Sequence, residues 1–208
     1  MELYKRGSRG EMVRQIQKAL NLYPDGIYGV ITEEAVKSFQ MRHGLKPDGI
    51  VGPATLAKLI PARLKRSKRT ITEIIIHCTA TPEGRDYTIY DIRKWHTDPP
   101  PKGNGWSDIG YHYVVYRNGR QYEGRDVDII GAHCKNHNAH SIGICYVGGT
   151  DAKGKPKDTR TLQQKAGLLT LLEELKKLYP NAKIYGHHDF EPGKPCPCFD
   201  AKAEYKDL

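Results

Sequence analysis

Eight of the nine histidines lie beyond residue 76, and the chain holds five cysteines. Three of these residues could do chemistry together. His77 ends the β-branched apolar run 71–78, which reads as a buried strand. His187 follows a second expected strand, 182–185, and Cys196 lies nine residues further on in the Pro-rich stretch KPCPCF. The ends of strands that feed loops are where open sheets place their sites. Two imidazoles and one thiolate make an open Zn²⁺ site whose fourth position is left for water. One thiolate and two neutral imidazoles leave such a centre a net charge of +1, so a bound water can lose its proton near neutral pH and attack as a nucleophile. The chemistry indicated is hydrolysis. On spacing alone, His188 and Cys198 are as well placed as His187 and Cys196.

The elements that must position these residues read as α/β: a mixed β-sheet with flanking helices, preceded by a small all-α domain of three helices. In that first part, Ser8 and Glu11 form a capping-box pattern ahead of Met12, Val13, Ile16, Ala19 and Leu20 at helical spacing. A second helix is expected from near Thr32, presenting Ala35, Val36 and Phe39 and ending at Gly44 in a left-handed cap. A third starts near Pro53 and buries Leu56 and Leu59. Two matching turns, DGIYG at 25–29 and DGIVG at 48–52, make an internal half-repeat with a structural role. Further on, a helix is expected from Thr88 to His96 with Thr88 and Asp91 as its cap, then a Pro-rich loop at 97–107. Strands at 111–116 and 121–124 flank Asn118 and Gly119, a strong hairpin signal. A buried strand at 141–147 and a helix at 162–178, with Leu168, Leu171, Leu172, Leu175 and Leu178 on its apolar stripe, complete the pattern. The expected domains are 1–60, a basic linker 61–70, and 71–208.

The net charge of +9 is unevenly spread: +3 in residues 1–60, +5 in 61–70 and +1 in 71–208. Such a face suits an anionic polymer, either nucleic acid or bacterial cell wall. The linker has no aromatic residue on which a base could stack, which argues against nucleic acid. Most of its charges read as a solvated hinge. An odd number of cysteines and an N-terminus without an apolar h-region point to synthesis in the cytoplasm with reduced thiols. No stretch approaches the roughly 20 apolar residues that span a bilayer, so no membrane partner is expected.

Two resemblances sharpen this reading. The segments GSRGEMVRQIQKAL, DGIYGVITEEAVKSFQMRHGL and DGIVGPATLAKL are similar to the three-helix peptidoglycan-binding domain. From about residue 71 to the end, IIIHCTAT, IRKWH, DIGYHYVVYRNG, GAH, HSIGICYVGG and GHHDFEPGKPCPCFD resemble, in order, the type 2 N-acetylmuramoyl-L-alanine amidases. That family includes the T7-lysozyme-like phage amidases and the animal peptidoglycan recognition proteins. The resemblance implies one Zn²⁺ held by His77, His187 and Cys196, with Tyr111 and Lys194 as catalytic groups. It implies that His133 and Asn138 contact substrate. Physically, an ammonium at Lys194 can stabilise the oxyanion of amide hydrolysis, and the Tyr111 hydroxyl can hydrogen-bond the attacking water or the tetrahedral intermediate. Two departures from the phage enzymes stand out: the segment between His187 and Cys196 is one residue longer, and Cys198 replaces a small hydroxyl residue. His96 and His112 read as structural, Trp95 as a core-facing helix residue, Cys78 and Cys145 as buried strand residues.

The expected function is hydrolysis of the amide between N-acetylmuramic acid and L-alanine by a monomeric phage or prophage endolysin released through a holin pore. A wall-recycling amidase and a non-catalytic peptidoglycan sensor are the alternatives. Sensors of that kind typically lose the cysteine ligand, which is present here as Cys196.

Overall fold

In the computed structural model, residues 3–60 and 64–208 are described. They divide into two units, Met1–Arg63 and Leu64–Leu208. Pro61, Ala62 and Arg63, part of the expected linker, lie outside the described residues.

The first unit is built from α1 (Glu11–Ala19), α2 (Val30–Arg42) and α3 (Pro53–Leu59). Val13, Ile16, Tyr28, Val36, Val51 and Leu59 form its buried core. Helical spacing places Val13 and Ile16 on one face of α1, and Pro53 occupies the first turn of α3 as its fixed φ favours. Gly44 follows α2 at φ +64°, the expected left-handed cap. The Ser8–Glu11 capping box does not form. Gly10 is the N-cap of α1, and Ser8 Oγ instead accepts a bond from Lys5 N at 3.0 Å. Gly10 sits at φ +114°, which carries the chain into the helix by a path that leaves Ser8 outside it.

The half-repeat is organised by a pair of residues that composition and periodicity did not single out. Gln17 is 2% exposed; its Nε2 donates to Asp25 Oδ1 (2.7 Å), Ile27 O (3.0 Å) and Thr32 Oγ1 (3.2 Å), and its Oε1 accepts from Gly26 N at 2.8 Å. Gln40 repeats this pattern with Asp48, Ile50, Thr55 and Gly49 at 2.9–3.0 Å. Each buried amide satisfies a turn and the start of the next helix, so the two turns are one device used twice.

The second unit contains a five-stranded sheet in the order β4-β3-β5-β1-β7 and a separate two-stranded pair, β2-β6. In chain order its elements are β1 (Glu73–Cys78), β2 (Thr81–Pro82), α4 (Ile89–Thr97), β3 (Tyr113–Val115), β4 (Gln121–Glu123), β5 (Ser141–Tyr146), β6 (Gly149–Thr150), α5 (Leu162–Leu178), β7 (Lys183–Gly186) and α6 (Ala201–Glu204). β1 pairs in parallel with β5 and β7, β3 in parallel with β5, and only β3–β4 is antiparallel. The sheet is therefore mixed.

Strand alternation assigns the two faces. Ile74, Ile76, Ile142 and Ile144 pack with Leu168, Leu171, Leu172 and Leu175 of α5. On the other face Val114 packs with Ile89 and Ile92 of α4 and with Ile109 and Val147. Thr88 and Asp91 form the expected capping box of α4, and Thr161 and Gln164 cap α5 in the same way.

The segment before β1 departs from the expected solvated hinge. Arg69 donates to Val127 O, Asn138 O, Ala139 O and Ser141 O at 2.8–3.2 Å. Ser67 N donates to Tyr179 Oη at 2.6 Å, and Lys65 pairs with Asp126 and Asp128 at 3.0 and 2.7 Å. Residues 64–70 are thus docked on the second unit, because its loops offer carbonyls and carboxylates that these donors satisfy.

Candidate active site

The parallel register builds the site. Ile76 faces Gly186 across β1 and β7, so His77 and His187 emerge side by side at the same end of adjacent strands. Their ring centroids are 4.5 Å apart. Cys196 arrives from the loop after β7, where its Sγ accepts a bond from Cys78 N at 3.3 Å and lies 3.8 Å from His77 Nδ1. One ligand atom from each of His77, His187 and Cys196 lies within 4.8 Å of the others. Gly186 keeps the turn open, since a Cβ there would meet Pro197 Cδ at 2.7 Å.

These donors fit a zinc ion. Tetrahedral Zn²⁺ with Zn–S of about 2.3 Å and Zn–N of about 2.0–2.1 Å needs an N···S edge of about 3.6 Å, close to the 3.8 Å between His77 Nδ1 and Cys196 Sγ. Burial holds the His77 imidazole well below its usual pKa, helped by His133 and His187, and burial also lowers that of His187. Both rings are therefore neutral at pH 7, the form that ligates metal. The remaining nitrogens are engaged. His77 Nε2 lies 3.0 Å from His133 Nδ1, and His187 Nε2 lies 3.0 Å from Glu191 Oε1. Each outer contact leaves Nδ1 free for the cluster, an arrangement typical of metal-bound histidine.

The alternatives that spacing left open separate in space. Cys198 sits at φ +71°, its Sγ 3.1 Å from Gly149 O and 3.9 Å from Cys78 Sγ, outside the His77 cluster. His188 contributes no ligand atom to the cluster, and its backbone N–H donates to Cys196 O at 2.8 Å.

Tyr111 lies just before β3 with its ring centroid 5.2 Å from His77, beside the Cys145 thiol. Burial pushes its phenol well above the usual value, so it stays protonated. Lys194 Nζ pairs with Glu191 Oε2 at 2.8 Å. Glu191 thereby links the Lys194 ammonium to His187, and these two partners hold its carboxyl below the usual range. Glu191 did not stand out in the sequence. A carboxylate four residues after a candidate ligand histidine, on a turn rather than a helix, carries little signal until the turn's geometry is known.

The residues expected to meet substrate lie next to the cluster, His133 in contact with His77 and Asn138 on the loop that carries it. His133 is only 8% exposed, behind His77, with its Nε2 3.3 Å from Ser141 Oγ. Its ring occupies space left by Gly131 and Gly143, where a Cβ would come within 2.6 and 2.4 Å of His133 Cδ2. Asn138 Oδ1 accepts from His133 N and Cys134 N, both at 2.9 Å, so this carboxamide shapes the loop that holds His133. His96 Nδ1 accepts from Gly110 N at 3.0 Å, and Trp95 packs edge-on against Tyr87; both serve the scaffold.

Residues 67–199 match the family model described as N-acetylmuramoyl-L-alanine amidase. The chain belongs to this amidase family. Residues 9–59 match a peptidoglycan binding domain. An endolysin of Enterobacteria phage K11 is 44% identical over 140 residues, covering 67% of this chain and 89% of the relative. The endolysin of Escherichia phage T7 is 40% identical over 142 residues, covering 68% of this chain and 90% of the relative. Among solved structures, the N-acetylmuramoyl-L-alanine amidase LysC from Clostridium intestinale URNW superposes with a TM-score of 0.55 at 26% identity, over 66% of this chain and 87% of that one. The chain is an N-acetylmuramoyl-L-alanine amidase of endolysin type, with peptidoglycan as its substrate.

Proposed function

We propose that this amidase works with one zinc ion held by His77, His187 and Cys196, and that Tyr111 and Lys194 act on the scissile amide. The observation that carries the reading is the convergence of two neutral imidazoles and one thiolate at the ends of β1 and β7. When bound, zinc supplies Lewis-acid polarisation of the carbonyl and activation of water. The protein's own groups do the rest. The protonated Tyr111 hydroxyl donates a hydrogen bond to the oxygen that gains charge as the carbonyl becomes tetrahedral. The Lys194 ammonium adds a positive charge at the rim, and Glu191 holds it there while fixing the His187 tautomer. His133 accepts the Nε2–H of His77 in a hydrogen bond and so orients that ring, and with Asn138 it is the group placed to meet substrate beside the cluster.

The enzyme acts as a monomer on the wall after release from the cell in which it is made, through a holin pore in the phage case. The first unit holds it on the polymer. No helix among the described residues is long and apolar enough to cross a membrane.

Zinc content of single variants tests the ligand set. Wild type, Cys198→Ser and His188→Ala should retain the ion at this site and most activity. Cys196→Ser, His77→Ala and His187→Ala should lose both. Loss of zinc from Cys198→Ser with retention in Cys196→Ser would overturn the assignment.

A further inference from the structure

A second cluster of ligating side chains lies at the opposite end of β1. Glu73 opens that strand, four residues before His77, hence about 13 Å away at about 3.3 Å per residue. The parallel register sets Glu73 opposite Ser141, so His140 and the 3₁₀ turn Asn138–His140 arrive beside the glutamate. His137 Nδ1 lies 2.9 Å and His140 Nε2 3.3 Å from the same oxygen, Glu73 Oε2. One ligand atom from each of the three residues lies within 4.8 Å of the others.

We propose that Glu73, His137 and His140 form a second site for a zinc-class divalent cation, separate from the hydrolytic centre. Two imidazoles and a carboxylate are ligands that Zn²⁺ accepts. Tetrahedral zinc with bonds of about 2.0–2.1 Å needs ligand–ligand edges of about 3.3 Å, and two edges here measure 2.9 and 3.3 Å. The frame is already ordered. Phe190 lies against the His137 ring with centroids 3.8 Å apart, Thr72 N donates to His140 O at 2.9 Å, and Arg69 holds the carbonyls of Asn138 and Ala139. The side chains of His137 and His140 are 25% and 39% exposed, so an ion can enter and water can complete its coordination. The Arg69 guanidinium nearby opposes a cation, so this site binds more weakly than the His77 cluster. Occupied, it ties the start of β1 to the loop that carries His133 and Asn138.

The inference does not depend on the ligand set proposed for the hydrolytic centre, and the test keeps the two apart. Full-length wild type, His140→Ala, Glu73→Gln, Cys196→Ser and Cys198→Ser are dialysed against Zn²⁺ and analysed for bound metal. In parallel the metal-free proteins are titrated with Co²⁺ and followed by absorption. Wild type should bind two zinc equivalents, and His140→Ala and Glu73→Gln one each. In both of those variants that one equivalent should give the thiolate-to-cobalt charge-transfer band of a cysteine site. Cys196→Ser should keep one equivalent without that band. Saturation of wild type at one equivalent, or a second equivalent that survives both His140→Ala and Glu73→Gln, would overturn the second site. Loss of the charge-transfer band from Cys198→Ser instead of Cys196→Ser would count against the hydrolytic ligand set and leave the second site standing.

Discussion

Glu191 accepts from His187 with one carboxylate oxygen and pairs with Lys194 through the other, so one side chain steadies both a proposed metal ligand and a charge. Glu191→Ala should weaken zinc binding by roughly 10–100-fold, as loss of such outer partners usually does; a zinc competition assay with a chelator reads this directly, and unchanged affinity would reject the role. Tyr111→Phe and Lys194→Ala should keep the ion yet lose roughly 10²–10³-fold in rate, the range for one oxyanion-stabilising donor. Near-wild-type turnover in both would sink their assignment. His112 gives a pH prediction. It is fully buried, accepts from Gly143 N on Nδ1 at 2.9 Å, and burial lowers its pKa to about 4. The unfolded chain, with an ordinary histidine near pH 6.5, then binds more protons than the folded one below that pH. Stability contributed by keeping His112 neutral is whole above pH 6.5 and falls as pH drops towards 4, by on the order of 3 kcal/mol. The urea midpoint should fall across that window; a flat profile would contradict it. At this scale the sequence displayed the three candidate ligands that the fold brings together, because strand ends and a Pro-rich loop are readable patterns. It did not display what lies behind them. The place of His133 depends on the bare backbone at Gly131 and Gly143, and a glycine does not announce which ring fills the gap.

At the scale of elements, helix and strand periods carried most of the fold. The 17 residues of α5 coincide with the expected span, since its leucine stripe marks it; the Thr161–Gln164 box that starts it emerged only in the structure. Tyr111 and His112 fall outside β3, which begins at Tyr113, so the short strand leaves Tyr111 at the lip of the site. The Ser8 box failed because a pattern of residue types cannot reveal the positive φ of Gly10. Buried glutamines are likewise invisible to hydrophobic periodicity, yet Gln17 and Gln40 each join a turn to two helices. Gln40→Ala should strand the Gly49 N–H and the Asp48, Ile50 and Thr55 acceptors. It should cost about 1–3 kcal/mol in the first unit. A matched loss for Gln17→Ala in denaturant melts would show the repeat is energetic as well as geometric; no loss in either would refute it.

At the scale of the molecule, two units share one polymer as target. The first holds neither cysteine nor more than the single histidine His43, so the proposed metal site falls to residues 64–208. Residues 64–208 alone should cleave soluble muramyl peptides near the full-length rate and act more slowly on insoluble wall, where tethering raises local enzyme concentration. Part of the tether is electrostatic and should fade as salt screens exposed charge over about 8 Å at physiological ionic strength. The Lys65 pairs with Asp126 and Asp128 already remove some of the linker's charge, so the salt effect should follow the first unit more than the linker. Equal rates of both forms on sacculi at every salt concentration would remove the tether from the account. The most direct test of the central claim is mass spectrometry of purified peptidoglycan digested by the full-length enzyme. Cleavage of the muramoyl–L-alanine amide predicts free stem peptides with an L-alanine N-terminus and intact, peptide-free glycan strands. Products still carrying muramic acid joined to L-alanine, with breaks only in the sugar chain or the cross-links, would contradict it.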